Sequence, residues 1–378
     1  MIARIRKYSV YFCISIYTLP GNIYALSASV WSKPDTLIRS TSLISYMIQS
    51  KKSSATVLGI VVVLLSAVFL AAQNVVSRVF FVPSQLFGQF AFGGFISSEL
   101  SNVIMLLAIR MALMAVLLMA IAPWLHPDTF LALKRLPRSP RVFGAAIGSA
   151  FCIFCGLTLL YTALSQIAAG VAIAAFFIYP AITVLLARFC FNQKLRPYQL
   201  ALMTIIFIGV VLTNTGPSES IEIAPTFLGL RLGLWYGLGA GLCFGLYGIF
   251  AELCLKDQHL SLHPVPFSLF TFMGVSGLAT LSLAIASPIT VSSSAWPFIL
   301  WTTLFSASLT LVAYILNNFG IRYIGAALTA LISASSPALT ALFAWITLQE
   351  SLQPQQSAGV FLVTIGIAVL SLKAKAEK

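Results

Sequence analysis

Apolar residues run along this chain in long blocks, and polar residues fall between the blocks rather than alternating within them. Blocks suited to helices of ~20 residues, the length that crosses a bilayer's hydrocarbon, lie at 57–77, 101–121, 142–164, 168–189, 198–215, 227–251, 267–286, 296–318, 325–348 and 356–372. Period-two alternation is absent, which disfavours a lipid-facing β-barrel. The pattern predicts an all-α membrane protein with ten transmembrane helices. Residues 78–98 are apolar but carry Pro83, Gly88, Gly93 and Gly94. Irregular backbone exposed to lipid would leave amides unpaired, so this loop is expected at the interface or folded over the bundle mouth.

One stretch occurs twice. Laid over one another without a gap, 167–209 and 324–366 set Pro180 on Pro337, Ala181 on Ala338, Thr183 on Thr340, Leu195 on Leu352, Pro197 on Pro354 and Gly209 on Gly366. Each copy is an apolar helix with a central proline, a polar hook (Asn192-Gln193-Lys194, then Gln349-Glu350-Ser351), a second proline and another apolar helix. A register held over two helices and a turn predicts a duplicated bundle, the architecture common among secondary transporters. Residues 51–215 and 225–372 are then two five-helix repeats. Five is odd, so the second enters from the opposite side and the repeat is inverted.

Composition agrees. The chain is 59% hydrophobic and 8% charged, with mean hydropathy +0.98, where a soluble domain has about a quarter of its residues charged. The net charge of +13 does not point to nucleic acid, because the basic residues sit in short loops, where they set topology. Lys134, Arg135, Arg138 and Arg141 form the strongest inside mark, Lys51, Lys52 and Lys373 agree, and Arg78 and Arg231 are exceptions. Residues 1–50 are read as a disordered or interfacial extension, with Met47 as an alternative initiator. The rival is a signal peptide, from Arg4, Arg6 and Lys7, the apolar run 8–16 and a small-residue site at Ala25-Leu26-Ser27.

These residues resemble the EamA-like family of the drug/metabolite transporter superfamily. The resemblance rests on Tyr323-Ile324-Gly325-Ala326-Ala327, on Ser335-Ser336-Pro337-Ala338-Leu339, on Leu348-Gln349-Glu350-Ser351-Leu352 with Gly359 and Gly366, and in the first half on Arg110, Pro180, Leu195 and Gly209. It covers about 57–370. It implies two five-helix repeats, both chain ends inside and a central cavity. Gln193 stands where the family has glutamate, Ala71-Ala72 where it has Trp-Gly, and Leu202 where Gly359 sits in the second half.

Arg110 is the one charge placed well inside an expected span. A charge in hydrocarbon costs about 2.5–3.5 kcal/mol on the milder scales. It therefore anchors a substrate carboxylate or phosphate, or it is structural and bonds backbone carbonyls. No acidic residue or histidine falls at mid-span, which disfavours a carboxylate proton relay; Glu252 at the inner end of span six comes nearest. Pro180 and Pro337 are read as hinges that break spans four and nine, against a fixed packing kink. Tyr161, Tyr179, Tyr314, Asn318, Ser333, Ser335 and Ser336 are candidate substrate-binding residues beside them. Glu350 is read as a helix cap.

Gly229, Gly233, Gly237, Gly241 and Gly245, four apart on span six, suit close helix packing, a sliding surface between halves or a homodimer face. Cys152 and Cys155 form a CxxC within an apolar helix, where thiolates are disfavoured. His259 and His263 lack a third metal ligand. No metal, cofactor or catalytic residue is expected. The sequence predicts a secondary, non-ATP transporter moving a small-molecule metabolite or drug outward across an inner-membrane bilayer by alternating access. The rival classes are a membrane thiol oxidoreductase using Cys152 and Cys155, and a channel-like pore.

Overall fold

The structure is a computed structural model that describes residues 34–81, 84–97, 99–166, 175–192, 197–214, 227–257, 260–285, 289–348 and 354–376. The chain forms two compact units, residues 1–52 and 53–378. In the first unit residues 34–52 are described and helical. The basic start, the apolar run 8–16 and Ala25-Leu26-Ser27 lie outside the described residues. The second unit is a helical bundle.

The described elements of the chain are α1 (Pro34–Phe81), a hairpin of β1 (Ser84–Leu86) and β2 (Phe90–Phe92), then α2 (Leu100–Leu125), α3 (Thr129–Arg135), α4 (Pro140–Gln166), α5 (Tyr179–Phe191), α6 (Pro197–Asn214), α7 (Phe227–Lys256), α8 (Pro264–Leu283), α9 (Trp296–Ile324), α10 (Ala326–Ser333), α11 (Ser336–Leu348) and α12 (Pro354–Ala376). Prolines open many of them. Pro140, Pro197, Pro264 and Pro354 begin helices, and Pro180 and Pro297 sit in the first turn. Their missing N–H is not needed there.

Among the described residues seven helices are long and apolar enough to cross a membrane: Ala55–Ser77, Leu100–Leu125, Pro140–Ala163, Leu232–Lys256, Pro264–Leu283, Ser293–Ile324 and Ala326–Leu348. Three shorter apolar helices, Tyr179–Phe191, Pro197–Leu212 and Ser357–Leu370, fall where the sequence places spans four, five and ten.

The register that sets Pro180 on Pro337 also sets helix on helix. α5 and α11 start and end at equivalent residues, and α6 and α12 both open on the second proline. The match extends one helix further back than the stretch that is legible as a repeat, since α4 overlies α9 with Pro140 on Pro297. α6 and α12 pack on one another through equivalent residues. A methyl at Gly209 would meet Val363 Cγ2 at 2.8 Å, and one at Gly366 would meet Ile206 Cγ1 at 2.8 Å. Gly366 is the counterpart of Gly209 and Val363 that of Ile206, so the contact is reciprocal. Numbers rise along one helix as they fall along the other, so the pair is antiparallel.

Both proline-bearing helices are interrupted at the same place. Residues 177–178 form a turn before α5, and residues 334–335 form a turn between α10 and α11. A proline ring crowds the carbonyl four residues back and offers it no N–H, here Phe176 and Ser333. Such backbone must be shielded from lipid. The glycines of α7 supply the shield in the first half. A methyl at Gly241 would lie 2.8 Å from the Phe176 carbonyl oxygen, and one at Gly245 2.6 Å from Ile182 Cγ2. At these two positions the glycine stripe serves a contact within the chain.

One large buried cluster joins α2, α4, α7, α8 and α9, with Met111, Leu118, Ile153, Tyr247 and Phe267 at its centre. A second joins α1, α6, α10 and α12 through Val63, Ile206, Leu331 and Val363.

Within the all-α bundle one segment is not helical. Within 78–98 the chain makes an antiparallel hairpin pairing Ser84 with Phe92 and Leu86 with Phe90. Its loop places Phe87 and Gly88 in the left-handed region, φ 52° and 69°. The hairpin is pinned where the Phe87 N–H donates to the Thr347 carbonyl (2.7 Å) and the Ile96 N–H to the Phe80 carbonyl (3.1 Å). The paired strands satisfy backbone groups that a loose loop would leave open.

Candidate functional site

Arg110, on α2, is buried, with 5% of its surface exposed. Its guanidinium donates from Nη2 to the Tyr161 hydroxyl (3.2 Å) and from Nη1 to Ser77 Oγ (3.4 Å), and its Nε has no partner. Ser77 also accepts from Gln73 Nε2 (2.5 Å). α1, α2 and α4 therefore each contribute to a single polar cluster. Tyr314 on α9 lies within electrostatic reach of both Arg110 and Tyr161. Its ring stands edge-on to Phe272 at 5.8 Å.

Tyr179, the first residue of α5, lies within electrostatic reach of Tyr314 and belongs to an aromatic box. Its ring is 5.3 Å from Phe176 and 6.2 Å from Phe244, and those two meet edge-on at 4.9 Å. The break before Pro180 thus gathers three aromatic faces at the start of α5. Rings able to flank an apolar body next to a few oriented polar groups are the usual composition of a small-molecule site.

The second-half candidates are placed differently. Asn318 is 1% exposed. It accepts from the Tyr247 hydroxyl (2.8 Å) and donates to Ser268 Oγ (2.8 Å). Ser333 Oγ, at the end of α10, donates to Asn317 Oδ1 (3.1 Å), and Ser335 Oγ donates to the Ile332 carbonyl (2.8 Å). Ser336 Oγ is buried without a partner. Asn318 and Ser335 are thus spent within the protein, and neither joins the Arg110 cluster by a hydrogen bond.

An apolar cleft of about 220 Å³ runs beside both breaks, lined among others by Phe177, Pro180, Ile206, Leu331 and Ala334. It does not coincide with the Arg110 cluster. Of the two, the cluster carries the charged and phenolic groups, while the cleft lining is apolar apart from Thr204. Sequence reasoning missed Gln73, Ser77, Asn317 and Phe244. Gln73 and Ser77 were legible, being polar residues four apart in an otherwise apolar block and so on one helix face.

A separate polar junction lies where α7 ends. Glu252, 3% exposed, accepts the N–H of Ala326 (2.7 Å), the first residue of α10, and pairs with Lys256 (3.0 Å). A carboxylate suits the positive end of a helix. Gly325 makes the approach possible, with φ 89°. His263 caps α8 and stacks on His126 with ring centroids 4.3 Å apart. Burial holds its imidazole down at about 4, and His126 and Arg322 add to the shift. Cys152 is buried and Cys155 half-buried, both as free thiols. Among the described residues no cluster of His, Cys, Asp or Glu could hold a metal. His259, Gln193, Glu219, Glu222 and Glu350 lie outside the described residues.

The EamA-like transporter family is matched over residues 57–215 and 231–372, which is most of the chain. The chain belongs to the EamA-like transporter family. An uncharacterized transporter of Synechocystis is 35% identical over 321 residues, covering 84% of this chain and 94% of that protein. The uncharacterized transporter YyaM of Bacillus subtilis is 27% identical over 198 residues, 51% of this chain and 61% of that protein. A solved crystal structure aligns with TM-score 0.63 over 85% of this chain and 97% of its own, at 16% identity, which speaks to the fold. This EamA-like protein is a multi-pass integral membrane protein and a membrane transporter. The family and its transporter-named relatives do not favour the thiol oxidoreductase reading of Cys152 and Cys155.

Proposed function

We propose that this transporter is a secondary carrier that moves a small organic molecule outward by alternating access between two inverted five-helix repeats. The observation that carries the proposal is the pair of helix breaks at equivalent positions, before Pro180 and before Pro337. The antiparallel, reciprocal contact of α6 with α12 supports the inverted relation. Ten spans follow when the three shorter apolar helices are counted with the seven long ones. A broken helix in each half gives each repeat a place to bend, and the apolar cleft beside the breaks leaves room for it. On this reading Arg110, Tyr161, Tyr179 and Tyr314 face the substrate, while Asn318 and Ser335 hold the wall behind it. Ser333 and Ser336 sit at the second break, and Pro180 and Pro337 are the hinges.

The test is counterflow in vesicles containing the purified chain. A carrier gives saturable uptake that is accelerated by unlabelled solute on the far side and needs no ATP. Flux that rises linearly with concentration and ignores the far side would mean a pore.

A further inference from the structure

Among the described residues nothing compensates the charge of Arg110, and that constrains what the cluster would bind. An arginine stays protonated at any physiological pH. Arg110 is more than nine-tenths buried within a membrane-spanning helix, and its two bonded partners, Ser77 and Tyr161, are neutral. No carboxylate among the described residues pairs with it. Glu252, the buried carboxylate, is engaged with Lys256 and the start of α10. A buried charge lacking a counter-ion is costly, and Nε remains unspent. The Tyr161 hydroxyl is bonded to Arg110, Tyr314 lies within electrostatic reach of both, and the rings of Tyr179, Phe176 and Phe244 pack on one another at the start of α5. A guanidinium with an unspent donor beside a tyrosine hydroxyl suits a carboxylate. Among the described residues no second cationic side chain is bonded into the cluster to take up the further charge of a phosphate dianion, and no acidic one to receive an ammonium group.

We propose that the cargo is an organic monoanion, a single carboxylate on an apolar, planar body. The proposal rests on the carrier reading above and assigns its substrate class. It has a kinetic corollary. With the anion bound, the site crosses the low-dielectric interior as a neutral pair; empty, it must cross as a cation. The loaded carrier therefore reorients faster, and exchange of one anion for another outruns net flux.

The experiment uses the full chain in vesicles, with labelled phenylacetate, phenylalanine and phenethylamine as probes. They share a ring and differ in charge. Phenylacetate is expected to saturate and to leave loaded vesicles at least several-fold faster when unlabelled phenylacetate is outside. Arg110→Gln should lower the exchange efficiency for phenylacetate by roughly a hundredfold, and Arg110→Lys, which keeps the charge without the fork, by about tenfold. Since Arg110→Gln could fold poorly, wild-type protein in detergent is heated with each probe. A rise in unfolding temperature with phenylacetate alone supports the assignment. Saturable transport of the amine or the amino acid without phenylacetate overturns the anion assignment and leaves the carrier reading standing. No saturable flux of any probe, with no thermal shift, overturns both.

Discussion

Tyr161 and Asn318 occupy the same place in the two halves, on α4 and α9 in the shared register, yet they do opposite work. Tyr161 is half-buried and bonds Arg110, whose guanidinium retains an unused donor. Asn318 is sealed between Tyr247 and Ser268, with its amide bonded at both oxygen and nitrogen. A shared register does not oblige two helices to share a role. In the first half the position belongs to a cluster left partly unsatisfied at Arg110 Nε. In the second it belongs to a closed network, which rigidifies the helices that carry it.

That contrast can be broken from either side. The largest effect is expected at Asn318→Leu, which strands the Tyr247 hydroxyl and Ser268 Oγ in the core. Each stranded group costs about 1–3 kcal/mol, so the variant should unfold in detergent with a loss of about 3 kcal/mol, while its surviving folded fraction keeps the wild-type KM. A change in KM at unchanged stability would move Asn318 into the site.

A smaller effect is expected at Tyr161→Phe. One hydrogen bond to a charged group is worth about 1.5–3 kcal/mol, less for a bond of 3.2 Å. Apparent affinity should fall roughly tenfold with little change in unfolding temperature. Equal loss of stability in both variants would erase the distinction between the halves.

Glu252→Gln keeps the shape at the start of α10 and removes the charge. About 1 kcal/mol of stability should be lost, seen as a lower denaturation midpoint. An unchanged midpoint would show that the Ala326 N–H is served as well by a neutral acceptor.

The last effect is a pH slope. Folded His263 sits at about 4 against about 6.5 for a free imidazole. The unfolded chain therefore binds the extra proton between those values. Stability is complete above 6.5 and falls as the pH drops towards 4. The groups around the imidazole are His126, Arg322 and the Phe319 ring. His263→Gln should flatten unfolding temperature against pH over this window; an unaltered slope would assign it to another group.

Short-range chemistry is open to reading along the chain. Apolar blocks of span length mark the helices, because backbone in lipid must bond internally. Pro180 and Pro337 mark the two breaks, because proline acts on the carbonyl four residues back whatever the tertiary context. The duplicated register locates those elements from residue spacing alone, and it holds even for α4 and α9, whose side chains have diverged too far to be matched by identity. Arg110 is marked by the cost of its charge.

The tertiary structure decided how the polar groups are spent. Tyr161 and Asn318 are both polar residues in apolar helices, and nothing local separates one that bonds a buried arginine from one locked in a closed network. The outcome depends on which neighbouring helix comes within hydrogen-bond distance, and that is set by helix packing. The same holds for Gly241, whose partner is the Phe176 carbonyl ahead of α5, and for the hairpin over 84–92, whose anchor is the end of α11. Hydrogen bonds between distant segments are fixed by distance and angle in the folded state, and residue identity alone carries neither.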